Sequence, residues 1–271
     1  PTRRSSDLDE GVQTVGKVLN EVIDNFDVQE YICVIWPQVR VGKKTITAMI
    51  DTLCGNERNG VAGCRANGQV YEQDANIRSY GDLLEIENTS MEDNDFEVVG
   101  TEGLCYCFNT KIINSVGKFD ENLAYTDIMV DFQLRTLLAG YRNMISRNSY
   151  VYETETKKES AGWINQLCVA DRRYLRKKWN TNYFMLAANN KFNLLIDRAS
   201  EEKFSVLEVG CDMGANLLGI KNAHPNCKIY GLEINKSSVN VGKHVADICY
   251  GNIEEENVDF GEKFDYIIFG D

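Results

Sequence analysis

Histidine and proline are scarce in this chain, with two and three copies among 271 residues. His224 and His244 do not stand in a zinc-ligand pattern with any cysteine, so no metal is expected to be held in that way. The nine cysteines (Cys33, Cys54, Cys64, Cys105, Cys107, Cys168, Cys211, Cys227 and Cys249) include no C-x-x-C pair. Odd in number and scattered, they read as reduced thiols of a cytoplasmic protein rather than as a disulfide framework. No apolar run is long enough to span a bilayer, and no secretory signal is visible, so the expected location is cytoplasmic with no transmembrane segment. Positive charge is short as well: 29 Lys and Arg face 41 Asp and Glu, a net charge of -12. A chain of that sign repels phosphate backbones, which argues against a nucleic-acid partner and leaves an anionic sugar nucleotide only a local pocket.

What is present is enough apolar side chain for a buried core, 43% of all residues, over a length that suits one large domain or two small ones. Both ends read as cut. The opening Pro1-Thr2-Arg3-Arg4-Ser5-Ser6-Asp7-Leu8 resembles a translated adaptor and is set aside from fold reasoning. The last run, Phe264 to Asp271, stops on an apolar stretch without a closing element, so an internal fragment is the expectation.

Apolar periodicity predicts a helix over 12–26, strands at 31–35 and 61–64, a helix over 46–53 and a strand at 104–108. Asn109 is placed to cap a short helix over 110–115. A helix over 131–139 stops at Gly140, and 150–152 reads as a strand. The acidic stretch 71–95 reads as loop. Residues 161–200 carry no strand signal and suggest amphipathic helices, with a basic run at Arg172, Arg173, Arg176, Lys177 and Lys178 that reads as a solvated face, a phosphate contact or a packing surface. After 204, strands (206–209, 228–234, 248–250, 266–269) alternate with helices (213–223, 236–245), the pattern of a parallel sheet covered on both faces.

The first of those strands runs into Glu208-Val209-Gly210-Cys211-Asp212-Met213-Gly214-Ala215-Asn216. Glycine at 210 permits a left-handed turn, glycine at 214 permits close approach of a ligand, and the following helix points its N-terminus at that ligand. With Asp212 at the middle position this is not the G-x-G-x-x-G dinucleotide fingerprint. It resembles the E-x-G-x-x-x-G motif of class I S-adenosylmethionine-dependent methyltransferases. Further landmarks match in order: Glu233 closing the second strand, where the family binds the ribose hydroxyls; Gly251-Asn252-Ile253-Glu254 after the third, where it contacts adenine; and Phe264-Asp265-Tyr266-Ile267-Ile268 as the fourth strand. The resemblance covers 204–271, the cofactor half of such a domain. It implies S-adenosylmethionine as cofactor and Glu208, Gly210, Cys211, Gly214, Asn216, Glu233 and Asn252 as its contacts, with Asp271 near the transferred methyl group. Cut there, with the last strand as an open apolar edge, the fragment is expected to bind that cofactor weakly or not at all.

A second resemblance precedes it. Gly103-Leu104-Cys105-Tyr106-Cys107-Phe108, Val116-Gly117-Lys118-Phe119-Asp120-Glu121, Asp131-Phe132-Gln133-Leu134-Arg135 and Gly140-Tyr141-Arg142 resemble family-two inverting glycosyltransferases of GT-A fold, as does the tail Asp171 to Trp179. The resemblance spans 12–180 and implies a sugar-nucleotide partner and a divalent cation, Mn or Mg. It departs at the places that carry chemistry. The metal-binding Asp-x-Asp is replaced by Trp36-Pro37-Gln38, the position of the catalytic base is Met129, and the late metal-assisting histidine is Glu153. Asp127 and Asp131 are the remaining catalytic candidates.

The expected fold is α/β throughout: an N-terminally truncated GT-A-like domain over 9–160 after the adaptor segment 1–8, a helical connector over 161–203, and a truncated Rossmann-like methyltransferase sheet over 204–271. The expected function is a piece of a bifunctional glycan-assembly transferase acting on a glycan or protein acceptor. The alternatives are a non-catalytic sugar-nucleotide-binding or scaffold module fused to a nucleotide-binding domain and, for the C-terminal part, a nucleotide-dependent oxidoreductase.

Overall fold

The computed structural model describes residues 14–25, 30–69, 73–89, 94–101, 105–154, 158–181, 184–189, 191–255 and 258–269. Asp271, the adaptor segment 1–8 and the Gly103-Leu104 start of one motif lie outside the described residues.

Helix α1 (Val15–Asn25) leads into β1 (Tyr31–Ile35), β2 (Val39–Val41), α2 (Thr45–Cys54), β3 (Asn59–Ala66), α3 (Tyr80–Thr89), β4 (Phe96–Val98) and β5 (Cys105–Asn109). A 3-10 turn (Thr110–Ile112) and α4 (Ile113–Val116) follow, then α5 (Asp127–Leu138), β6 (Arg142–Glu153) and α6 (Lys158–Trp179). The second part is β7 (Ser205–Val209), α7 (Ala215–Ala223), β8 (Lys228–Glu233), α8 (Lys236–Gly242), β9 (Asp247–Tyr250) and β10 (Tyr266–Phe269).

The first sheet mixes directions. Its order is β1-β5-β3-β6-β2, with β4 also on β6. Only β3 and β6 run parallel; the other pairs are antiparallel. Ten of the twelve residues of α5 are buried, the polar Asp127, Asp131, Gln133 and Thr136 among them, so this helix is wrapped on every side. Gly140 ends it at φ 84°, a backbone state closed to most side chains. Phe108, Phe119 and Phe132 meet beside it, with centroids 4.5–5.6 Å apart.

The second sheet is wholly parallel, in the order β10-β7-β8-β9. Numbered within this part, the order is 4-1-2-3, so the chain reverses direction of winding between β7 and β10. The buried cluster around α5 continues through Phe184 and Leu186 to Met213, Ala215, Leu218 and Val241, so α7 and α8 share a core with the first sheet.

Several sequence expectations need correction. The acidic stretch 71–95 contains helix α3, started by a reciprocal cap in which Asp82 N–H meets Ser79 Oγ at 3.2 Å. Its Glu87 is buried rather than solvated, because its carboxylate accepts the N–H groups of Lys43 and Lys44 at 2.8 and 3.1 Å. The helix expected from Asp131 begins four residues earlier at Asp127, which puts Asp131 inside it and rules out a capping role. The helical expectation for 161–200 holds to Trp179; beyond that the described residues carry only a 3-10 turn, Asn193–Leu195. Short strands β2 and β4 were not expected, since three residues give no periodicity. The described residues contain no helix long and apolar enough to cross a membrane.

Candidate cofactor site

The loop between β7 and α7 is built from three residues at positive φ: Gly210 (77°), Asp212 (47°) and Gly214 (89°). Aspartate tolerates this region better than most side chains. Gly210 N–H donates to Leu232 O at 2.8 Å, which ties the turn to the end of β8. Gly214 caps α7, and a Cβ there would press on Ile248 at 3.0 Å.

Glu233, the last residue of β8, faces this loop. One carboxylate oxygen accepts Asp212 N–H at 2.9 Å and the other accepts Asn235 N–H at 2.7 Å. A carboxylate has about four acceptor sites, so each oxygen keeps one for a further donor. Asp212 in turn accepts Ser238 Oγ–H at 2.6 Å and Met185 N–H at 2.9 Å.

Glu208 is 1% exposed on β7. Oε1 accepts Asn216 Nδ2–H at 2.7 Å, while Oε2 has no partner. Burial, opposed by the Asn216 hydrogen bond and reinforced by Asp212 and Glu233, pushes its carboxyl up to about 7. Burial likewise raises Asp212. Asn216 stands in the first turn of α7, and its own oxygen accepts Asn189 N–H at 2.8 Å.

The structure thus brings Glu208, Gly210, Gly214, Asn216 and Glu233 together at the carboxyl ends of β7 and β8. Cys211 is in the loop, but the residue is 1% exposed and packs with Leu217 and Ile248 in the core. Asn252 stands apart: its side-chain oxygen accepts Glu254 N–H at 3.0 Å in a local turn, and only its neighbour Gly251 reaches Glu233, N–H to backbone O at 3.1 Å. Asp212, Ser238 and Met185 were not singled out from sequence. Asp212 sits at a variable position of the glycine motif, and nothing in the sequence relates it to residues 26 and 27 positions away.

In the first sheet, the two carboxylate candidates are engaged. Arg172 binds Asp127 through Nε and Nη2, both at 2.8 Å. Asp131, with no exposure, accepts from Arg135 Nε (2.9 Å), Trp179 Nε1 (3.0 Å) and Lys178 Nζ (2.7 Å). Lys178 also reaches Asp120 at 2.6 Å. Burial raises the Asp120 carboxyl, yet Lys178 and Asn122 outweigh it and hold it down at about 2. The basic run is therefore divided: Arg172 and Lys178 turn toward these acids, while Arg173, Arg176 and Lys177 are exposed. Asp171 accepts Ala124 and Tyr125 N–H, although burial still pushes it up to about 6. Met129 is buried in the core. Gln38 O accepts Thr154 N–H at 2.9 Å beside β2, and Glu153 accepts Gln69 Nε2–H at 3.0 Å. No group of three His, Cys, Asp or Glu is placed to hold a metal ion among the described residues.

No protein-family model and no curated protein matches the chain. Among solved structures it is similar to PKMT2 from Rickettsia typhi, in complex with AdoHcy or without it, at 26% identity and a TM-score of 0.22, over 24% of this chain and 14% of that one. It is also similar to GalNAc-T7 with UDP, GalNAc and Mn2+, at 7% identity and a TM-score of 0.42, over 54% of this chain and 31% of that one. The chain spans less than a third of either protein, and its site is read from its own residues.

Proposed function

We propose that the C-terminal sheet binds S-adenosylmethionine and that the chain is part of a transferase. The observation that carries this reading is the contact between the glycine turn and the acid of the next strand, Asp212 N–H to Glu233 at 2.9 Å, at the carboxyl end of β7, the strand from which the sheet winds both ways. Open α/β sheets bind ligands outside the carboxyl ends of their strands at such a point. Three carboxylates, Glu208, Asp212 and Glu233, share this place; burial raises Glu208, and the other two add to that rise. That field suits a sulfonium and an ammonium group and opposes the pyrophosphate of a dinucleotide, which disfavours the oxidoreductase reading. Glu233 keeps acceptor capacity for ribose hydroxyls. The sulfonium is already activated, so methyl transfer asks the protein mainly to align an acceptor.

Saturation-transfer difference NMR with millimolar S-adenosylhomocysteine and, separately, NADH tests the assignment, since it detects weak ligands. Signal from S-adenosylhomocysteine, lost in Glu233→Ala, supports it; signal from NADH alone selects the oxidoreductase.

For the first sheet the favoured reading is a scaffold or sugar-nucleotide-binding module of a glycan-assembly protein rather than an active glycosyltransferase. The observation is that Asp127 and Asp131 are both committed to side chains of α6. Assay with UDP- and dTDP-sugars, with and without manganese, tests this; manganese-dependent turnover overturns it.

A further inference from the structure

Cys33 and Cys107 are paired directly across the antiparallel β1–β5 ladder. Opposite residues of such a ladder lie about 4.5–5.5 Å apart at Cα, inside the roughly 4.4–6.8 Å that a disulfide spans. Their sulfur atoms already face each other at 2.6 Å. Cys107 has no exposure, whereas Cys33 is part-exposed on the edge strand, so one thiol is open to an attacking reagent and the other waits behind it. The hydrogen bond between Cys33 and Cys107 lowers the Cys33 thiol below its usual range, against burial, and so favours its nucleophilic form.

We propose that Cys33 and Cys107 form a reversible disulfide when the protein meets a small disulfide oxidant such as oxidised glutathione. The Cys33 sulfur, its proton lost to solvent, attacks one sulfur of the oxidant and expels one thiol. Cys107, losing its proton in turn, attacks the Cys33 sulfur of the mixed disulfide and expels the second. Two protein thiols are oxidised and one external disulfide is reduced to two thiols. Disulfides of this kind in reducing compartments are transient and sensing rather than structural.

The bond has a place to act. Among the described residues β1 ends its sheet and pairs with β5 alone, so the ladder, the packing of Ile32 and Val34 and this bond together hold it. The chain leaving β1 packs on the loop before α5: Trp36 stacks edge-on to Tyr125 at 4.5 Å, and Gln38 Nε2 donates to the Tyr125 hydroxyl at 3.4 Å. Oxidation staples that edge. Two other thiol arrangements compete poorly. Cys64 and Cys105 are both buried from any reagent, and Cys54 is exposed with the Tyr31 hydroxyl as its partner rather than a thiol.

The test uses the whole chain, treated with millimolar oxidised glutathione, unfolded, alkylated and mapped by mass spectrometry. Reduced protein takes nine alkyl groups, one per cysteine. Oxidised protein is expected to take seven, with a cross-linked peptide pair carrying Cys33 and Cys107. Closing a loop of this length raises the unfolding midpoint by roughly 5–10 °C. Cys33→Ser abolishes the cross-link and the shift, while Cys54→Ser leaves both. The proposal is overturned if all nine sites remain open, if glutathione adducts accumulate on Cys54 without a cross-link, or if the linked pair is a different one.

Discussion

Asn222, near the end of α7, clasps the backbone of Glu97 in β4 from both sides: Glu97 N–H donates to its Oδ1 at 3.1 Å, and its Nδ2 donates to Glu97 O at 2.8 Å. The contact mimics a strand partner, and it joins the parallel half of the chain to the mixed sheet. Met213, Ala215 and Leu218 bury themselves alongside in the same cluster as Phe132 and Leu134. Asn222→Ala is expected to cost about 1–2 kcal/mol, the worth of two part-buried hydrogen bonds. Calorimetry should show a single transition moving down as one, because a shared core unfolds cooperatively. Two separable transitions, of which only the later part of the chain moves, contradict that coupling.

Asp131 gives a test that separates structure from chemistry. Its carboxylate has no exposure and holds Arg135, Lys178 and Trp179 together. Removing it takes the acceptor from Arg135 Nε and Trp179 Nε1 and leaves Lys178 with Asp120 alone, so Asp131→Ala is expected to destabilise by about 3 kcal/mol in denaturant unfolding. Asp131→Asn keeps an acceptor and should fall well short of that loss. A variant as stable as the parent shows that Asp131 does not serve to hold α6.

The parts of this molecule that sequence revealed are those whose physics is local. Gly210 and Gly214 announce a turn because only glycine takes such φ values freely, and the alternation of apolar runs after 204 announces a parallel sheet. Glu233 was legible because the end of the second strand is a fixed place in that pattern. What stayed hidden depends on partners far along the chain. Asp127 and Asp131 stood as catalytic candidates until α6, 45 to 48 residues later, supplied Arg172 and Trp179. Nothing in the acidic stretch 71–95 marks Glu87, and only folding brings it to the N–H groups of Lys43 and Lys44. Asp212 has the same character, held by Met185 on one side and Ser238 on the other.

That hold on Asp212 makes it a positioning residue for the glycine turn. Its side chain fixes the loop while its N–H reaches Glu233. Asp212→Ala places alanine at φ 47° and removes two acceptor contacts, for a stability loss of about 1–3 kcal/mol. S-adenosylhomocysteine signal in the NMR experiment should weaken although Glu233 is intact. Asp212→Asn, which tolerates the same φ, should keep more of both. Equal binding in all three proteins would remove Asp212 from the site.

Glu208 predicts a pH dependence of definite sign. Burial raises its carboxyl from 4.5 to about 7, so the folded chain holds a proton that the unfolded chain has released across that window. Stability from this group is greatest below the unfolded value, falls as pH rises through the window, and levels off above about 7. The span corresponds to ~3 kcal/mol at most. Asp171, raised to about 6, adds a slope of the same sign, so the informative quantity is the difference between parent and Glu208→Gln. Glutamine keeps an acceptor for Asn216 and carries no proton to titrate, so urea unfolding between pH 5 and 8 should show a shallower loss in the variant. A cationic ligand seated beside Oε2 favours the ionised carboxylate and should flatten the parent's profile in the same way. Parallel profiles for parent and variant would mean that Glu208 ionises normally and that burial does not hold a proton on its carboxyl.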